Sequence, residues 1–204
     1  MGSIVLGIAG GTASGKTTVA EAVAAALGDR CLLMSHDRYY LPLPDEVRHQ
    51  PARWNFDHPD ALETSRLVDD LDALLAGREI VLPTYDFTNH VRTPPAAADR
   101  VGPRPVLLVE GILVLAEPEL RARFDHAVFV HAPDDLRLLR RIERDIAERG
   151  RQLPEVLEQY RRSVRPMHEA FVAPSRQHAT LVLDGTAPTA ASVAAVLALS
   201  GLSG

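Results

Sequence analysis

Ile4-Val5-Leu6-Gly7-Ile8-Ala9-Gly10-Gly11-Thr12-Ala13-Ser14-Gly15-Lys16-Thr17 is the stretch on which the fold turns. The apolar run Ser3–Ala9 reads as a first strand buried on both faces, as in a parallel sheet. Lys16–Leu27 is rich in helix formers and reads as the first helix, with Gly28 as its stop. Between them, a glycine, four residues and Gly-Lys-Thr have the spacing of a phosphate-binding loop. Such a loop must present its backbone N–H groups to bulky oxygens, and Gly10, Gly11 and Gly15 carry no Cβ to block that approach. The following helix adds free N–H groups and the positive end of its dipole. In this setting Lys16 reaches the β- and γ-phosphates and the Thr17 hydroxyl binds Mg²⁺. The bland alternative is a glycine-rich turn between a strand and a helix. The strand before and the helix after favour binding of a nucleoside triphosphate.

At 204 residues the chain is long enough for one domain with a full core. Hydrophobic residues at 46% and charged residues at 24% describe an ordinary globular protein. The net charge of −5 argues against a nucleic-acid partner, which needs a basic face. One cysteine, Cys31, excludes an internal disulfide and suits a reducing cytoplasm. It falls in an expected buried strand, where a small apolar role is the natural reading. No apolar run approaches the ~20 residues of a membrane helix. The first apolar run leads straight into the phosphate loop with no basic segment ahead of it, so it is not expected to be a signal peptide.

Further along, Arg30–Met34 reads as a second buried strand that ends in Ser35-His36-Asp37-Arg38-Tyr39-Tyr40. Ligands of open parallel sheets sit outside the carboxyl ends of the strands, which puts Asp37 near the phosphate loop. A solvated loop aspartate or a helix cap is the other reading. Residues 41–60 read as loop, with Asp60 as N-cap of a helix whose apolar face is Leu62, Leu67, Leu71, Leu74 and Leu75; Gly77 ends it. Glu79–Leu82 and the residues after Arg92 read as a small hairpin around residues 83–92, followed by a Pro/Ala-rich loop over 94–105. Pro105–Gly111 is an apolar strand that delivers Glu110 at its end, an acid costly to bury without a partner. Its position suits a carboxylate facing Mg²⁺ and the attacking group. Ala127–His131 reads as a core strand, and Pro133 and Asp134 as the start of a helix running to about Glu148, stopped by Gly150. Residues 153–172 read as mostly helical, kinked or broken near Pro166. Thr180–Leu183 is expected as a last strand and Pro188–Leu199 as a closing helix. Alternating strands and helices make an α/β, doubly wound, mostly parallel sheet with a small β-hairpin and a helical lid. Residues 1–204 are expected to form one domain.

Arg137, Arg140, Arg141, Arg144, Arg149, Arg151, Arg161, Arg162 and Arg165 are interleaved with Asp134, Asp135, Glu143, Asp145 and Glu148. Most of this reads as a solvated helix face with i,i+4 pairs such as Arg141 with Asp145 and Arg144 with Glu148. Phosphoryl transfer, however, develops charge that an arginine fork stabilises well. Glu148-Arg149-Gly150-Arg151 lies at a helix end where glycine permits movement, which suits a lid closing over ATP.

These segments together resemble the uridine–cytidine kinases among the P-loop kinases, over most of the chain from Ile8 to about Leu183. The carriers are Gly10–Thr17, Asp37-Arg38-Tyr39-Tyr40, Asn55-Phe56-Asp57-His58-Pro59-Asp60-Ala61, Pro83-Thr84-Tyr85-Asp86-Phe87 with His90 and Arg92, and Glu110-Gly111-Ile112-Leu113. Arg140-Arg141 with Arg144-Asp145, Glu148–Arg151, Gln159-Tyr160, Val164–Met167 and Pro174-Ser175 continue the match. The resemblance implies ATP-dependent phosphorylation of the 5′-hydroxyl of uridine or cytidine, a pyrimidine-salvage reaction, with GTP as a second candidate donor.

It assigns the triphosphate to Gly10, Gly11, Thr12, Ala13, Ser14, Gly15, Lys16, Thr17 and Thr18. Asp37 would take the proton of the 5′-hydroxyl, and Asp57 and Arg141 would hold the ribose diol. Tyr85 and His90 would read the base edge and Phe87 its face, with Tyr40, Phe56, Ile112, Arg151 and Gln159 also reaching the nucleoside. Arg144 and Arg149 would serve the lid and the phosphates; Thr17, Asp37 and Glu110 would organise Mg²⁺. The resemblance also suggests a homo-tetramer and gives no reason to expect a membrane partner.

Three residues depart from the pattern. Arg38 and Tyr39 stand where a small residue and Phe are frequent, and Thr180 where Asp is. Rival readings are a phosphoribulokinase-like enzyme, which has no use for a base pocket, and a non-kinase ATP-dependent switch, which needs no second pocket.

Overall fold

A computed structural model of the chain describes residues 2–47, 54–87, 89–94, 96, 100–199 and 201–202. Five parallel strands form the central sheet: β1 (Ile4–Gly10), β2 (Cys31–Ser35), β7 (Val106–Glu110), β8 (His126–His131) and β9 (Leu181–Asp184). Their order is β2-β7-β1-β8-β9, so β7 inserts between the first two strands of the chain. The sheet is covered on both faces, and the period of two along each strand distributes the core. Val5, Ala9, Leu107, Val109 and Phe129 point to one face, where helix α2 (Thr64–Leu75) packs. Leu6, Ile8, Leu108, Val128 and Val130 point to the other, against α1 (Lys16–Leu27) and the closing helix Thr189–Leu197. Gly7 on β1 is a packing glycine, because a Cβ there would sit 2.4 Å from the Phe124 ring.

The carboxyl ends of β1, β2 and β7 lie level with one another. Ser35 and Ile8 are both in register with Glu110, and the Gly111 N–H donates to Ile8 O at 3.2 Å. The open-sheet rule then places the phosphate loop, Ser35 and Glu110 along one crevice.

Several expectations are corrected. Asp60 does not cap α2. It lies in a 3₁₀ turn, Pro59–Ala61, where its N–H donates to His58 Nδ1, and α2 begins at Thr64 behind Glu63. Leu67, Leu71 and Leu74 are buried on α2, Leu62 is buried ahead of it, and Leu75 is 42% exposed. Cys31 is only half-buried because its strand is the sheet edge; loss of solvent still pushes its thiol up to about 11. The expected single hairpin is two short antiparallel pairs, β3 (Ile80–Val81) with β6 (Arg100–Val101) and β4 (Thr84–Asp86) with β5 (Val91–Thr93). Pro83 stands between β3 and β4, where a residue without an N–H interrupts a ladder. The loop expected over 41–60 and that over 94–105 fall partly outside the described residues.

After the short α3 (Pro118–Arg121), helix α4 (Asp134–Ala147) ends before Gly150, which has φ +63. Of the kink or break expected near Pro166 the break is absent, because residues 153–178 are continuously helical. They start as α5 (Leu153–Gln159) and contain two wide π turns, Tyr160–Val164 and His168–Val172. Each π turn is followed within two residues by a proline, Pro166 and Pro174. A proline ring collides with the carbonyl four residues back, and a π turn moves that carbonyl aside. No helix among the described residues is long and apolar enough to cross a membrane.

Candidate active site

The loop between β1 and α1 has the shape its glycines allow. Gly15 carries φ +96, a region that favours glycine, and is the N-cap of α1. At Gly10 a Cβ would lie 2.6 Å from both Ser14 Oγ and Val130 O, and at Gly11 2.5 Å from Arg137 Nη1. Ser14 N–H donates to Gly11 O at 3.1 Å, and Val19 N–H to Gly15 O at 3.0 Å. The Ser14 hydroxyl is buried without a hydrogen-bond partner, an unmet donor inside a cradle of backbone amides. Thr17 and Thr18 are exposed at the start of α1.

Glu110 faces this loop. Its Oε2 accepts from Thr17 Oγ1 at 3.1 Å and lies 4.0 Å from Lys16 Nζ; its Oε1 accepts from Ser35 Oγ at 2.7 Å. Ser35 was not picked out from the sequence, although its place two residues before Asp37 at a strand end was the available signal. Asp37 lies on the 3₁₀ turn His36–Tyr39. Loss of solvent first, and then the Glu110 charge, push its carboxyl up to about 6, while Lys16 and Arg149 pull it down. Thr17, Asp37 and Glu110 thus supply oxygen donors to one small region.

On the far side of the crevice Asp57 Oδ2 accepts from Ser163 Oγ at 3.1 Å. Burial raises the Asp57 pKa, and nearby Arg141 opposes that rise. Arg141 is itself buried and reaches the phosphate loop, with Nη1 donating to Thr12 Oγ1 and Nη2 to Gln159 Oε1, both at 2.9 Å. Arg151 Nη1 donates to the same Gln159 oxygen. A narrow gap lined by Thr12, Asp57, Ile112 and Val164 joins these groups. Ser163 had no signal in the sequence; it comes from a π turn that no local pattern announces.

The aromatic residues gather beside the Asp37 turn. The Tyr40 ring meets Phe56 (5.7 Å), Tyr85 (5.5 Å) and Phe87 (6.2 Å), and His90 stacks on Phe56 at 5.0 Å. Tyr85 Oη and His90 Nδ1 are buried atoms without hydrogen-bond partners, and Phe87 is 57% exposed. His90 has φ +54, an uncommon backbone state for a non-glycine residue, in the turn between β4 and β5. Burial lowers its pKa, which favours the neutral ring, while the Asp86 charge opposes that shift.

The arginine helix differs most from expectation. Arg137, Arg141 and Asp145 form the buried face of α4, while Leu139 and Ile146 are exposed. Asp145 is fully buried and gathers four arginines: Arg144 at 2.8 Å, Arg149 at 3.4 Å, Arg141 at 3.5 Å and Arg151 at 3.6 Å. Arg144 therefore pairs with Asp145 instead of the expected Glu148. The i,i+4 pair of Arg141 with Asp145 is present, but it is buried and not solvated. Arg149 keeps a half-exposed side chain just before Gly150.

Comparison with known proteins identifies the family and the fold. The family model described as "Phosphoribulokinase / Uridine kinase family" matches residues 5–191. Uridine kinase of Chloroflexus aggregans is 51% identical over 183 residues, 89% of this chain and 87% of the relative. Uridine kinase of Chloroflexus aurantiacus is 50% identical with the same coverage. The phosphoribulokinase structure from Rhodobacter spheroides superposes with a TM-score of 0.64 at 14% identity, covering 92% of this chain and 74% of that one, and so shares the fold.

Proposed function

This chain belongs to the phosphoribulokinase/uridine kinase family, and from that premise we propose that it transfers the γ-phosphoryl group of ATP to the 5′-hydroxyl of uridine and cytidine. Residues 1–204 act as one kinase domain in this reading. The observation that carries it is Arg141. One guanidinium spans Thr12 of the phosphate loop and Gln159, beside Asp57, so a sugar held by Asp57 adjoins the phosphate cradle.

The residues divide the work by their chemistry. The loop Gly10–Thr18 binds the triphosphate through backbone amides, the Ser14 hydroxyl and Lys16. Asp37 orients the 5′-hydroxyl and receives its proton; the transition state is loose, so positioning outweighs basicity. Asp57 accepts from both ribose hydroxyls and Arg141 braces it, so a deoxyribose leaves the carboxylate half satisfied. Neutral His90 donates or accepts according to tautomer and so faces either uracil O4 or the cytosine amino group. Tyr85 reads the edge beside it, with Phe87, Tyr40, Phe56 and Ile112 as apolar walls. Arg151 and Gln159 close the nucleoside side, while Arg144 and Arg149 turn from Asp145 toward the phosphates.

Thr17, Asp37 and Glu110 form a hard-oxygen set that suits Mg²⁺. When bound, the ion neutralises charge on the phosphoryl oxygens. A panel of nucleosides with ATP and Mg²⁺, read by product mass, tests the reading. UMP and CMP are expected, with little product from 2′-deoxyuridine. Turnover of ribulose 5-phosphate with no nucleoside product would overturn it in favour of a phosphoribulokinase-like enzyme.

A further inference from the structure

The β4–β5 hairpin that carries Tyr85, Phe87 and His90 is not hydrogen-bonded into the five-stranded sheet. With three residues in each strand it is too short to hold its own position. Beyond one backbone bond, from Leu43 N–H to His90 O at 3.3 Å, its place relative to Asp37 comes from side chains. Two arginines supply it, pointing in opposite directions. From the turn, Arg38 Nε donates to Pro83 O at 2.7 Å and Nη2 to Thr84 Oγ1 at 3.2 Å. From the hairpin, Arg92 Nε donates to Tyr40 O at 2.9 Å, Nη2 to Tyr39 O at 3.0 Å, and Nη1 pairs with Glu63 at the head of α2. A guanidinium presents its donors in a rigid fork, so each arginine sets an orientation as well as a distance.

We propose that Arg38 is a positioning residue for the nucleoside. With Arg92 it forms a reciprocal staple that registers the base-reading hairpin against the turn bearing Asp37, and so fixes the span from base to reacting hydroxyl. Arg38 bonds Pro83 and Thr84, the residues just ahead of the nucleoside walls named above. It acts through Pro83 and Thr84 on Tyr85, the next residue, whose ring packs on Tyr40, three residues beyond Asp37. The inference rests on the nucleoside-kinase reading for its kinetic consequence, and on geometry alone for its structural one.

The test uses the full chain in two measurements. In steady-state assays Arg38→Ala raises KM for uridine about tenfold, the loss expected when hydrogen bonds from a charged donor are removed. KM for ATP stays within about twofold. Arg38→Lys restores part of the loss, because an ammonium reaches one acceptor but cannot fork. The penalty shrinks when His90 is already Ala, since both changes act on the same base contact. In hydrogen exchange on the ligand-free protein, Arg38→Ala speeds the amides of β4 and β5 while those of β1 and β7 stay protected. Equal rises in both KM values, or full additivity with His90→Ala, overturn the proposal. Unchanged exchange across residues 84–93 overturns it whatever the substrate is. A wild-type protein that phosphorylates no nucleoside sinks the kinase reading instead, and the exchange result then decides the staple by itself.

Discussion

Asp37 combines two demands in one carboxyl group, and its surroundings are the first place to test them. Asp37→Asn keeps the shape but cannot accept the hydroxyl proton. Its kcat should fall by ~10²–10⁴-fold; a variant with most of its turnover would remove Asp37 from the mechanism. His36, one residue earlier, is 1% exposed and bonded to Thr64 Oγ1 at 3.0 Å, and burial lowers its pKa to about 4. The unfolded chain takes up this proton near pH 6.5, the folded chain only near pH 4. Between those values the unfolded state binds more protons, so stability from this group is full above pH 6.5 and is lost as pH falls. His36→Gln should therefore lose less stability than wild type between pH 6.5 and 4, measured by denaturant midpoints. Parallel loss in both proteins would show that His36 does not contribute. At this scale Lys16, Thr17 and Glu110 were legible from spacing and strand ends. Ser35 and Ser163 were not, because a hydroxyl becomes a partner only when another segment arrives beside it.

Helix α4 shows how an element can carry the right pattern and the wrong environment. Its Arg/Asp alternation at i,i+4 is that of a solvated surface helix, yet Arg137, Arg141 and Asp145 face inward. The two readings differ in magnitude. Exposed pairs contribute ~0–1 kcal/mol, whereas removing one partner of a buried charge cluster costs ~3–5 kcal/mol. Asp145→Ala should therefore destabilise by the larger amount and also weaken nucleoside binding, as Arg141 loses its brace. A loss under ~1 kcal/mol would restore the surface reading. The helix bounds themselves were well marked, since Lys16–Leu27 and the start at Asp134 follow from composition and stops. The π turns before Pro166 and Pro174 were invisible, because proline in a sequence signals a kink or a break and the π turn that accommodates its ring has no local pattern of its own.

Across the whole molecule, the strand order β2-β7-β1-β8-β9 is what assembles the chemistry. It sets Glu110 between Ser35 and the phosphate loop, and the helical run 153–178 brings Gln159 and Ser163 to Arg141 and Asp57. A ligand that binds only this folded arrangement must stabilise it. ATP with Mg²⁺ at about 100 times Kd should add ~2.7 kcal/mol. For a chain of this size that raises Tm by roughly 5–10 °C. Lys16→Ala should abolish the shift and leave the unliganded Tm nearly unchanged; an undiminished shift would place the nucleotide elsewhere.

The sequence by itself determined the phosphate loop, the alternation of strands and helices, and the family, because these follow from local spacing, period and backbone freedom. Only the tertiary structure decided which acids and hydroxyls face one another, that α4 turns its charges inward, and that two arginines staple a hairpin to the Asp37 turn. Such contacts join residues up to 129 positions apart, as Thr12 and Arg141 are. Their existence depends on how the layers pack, which no local pattern encodes.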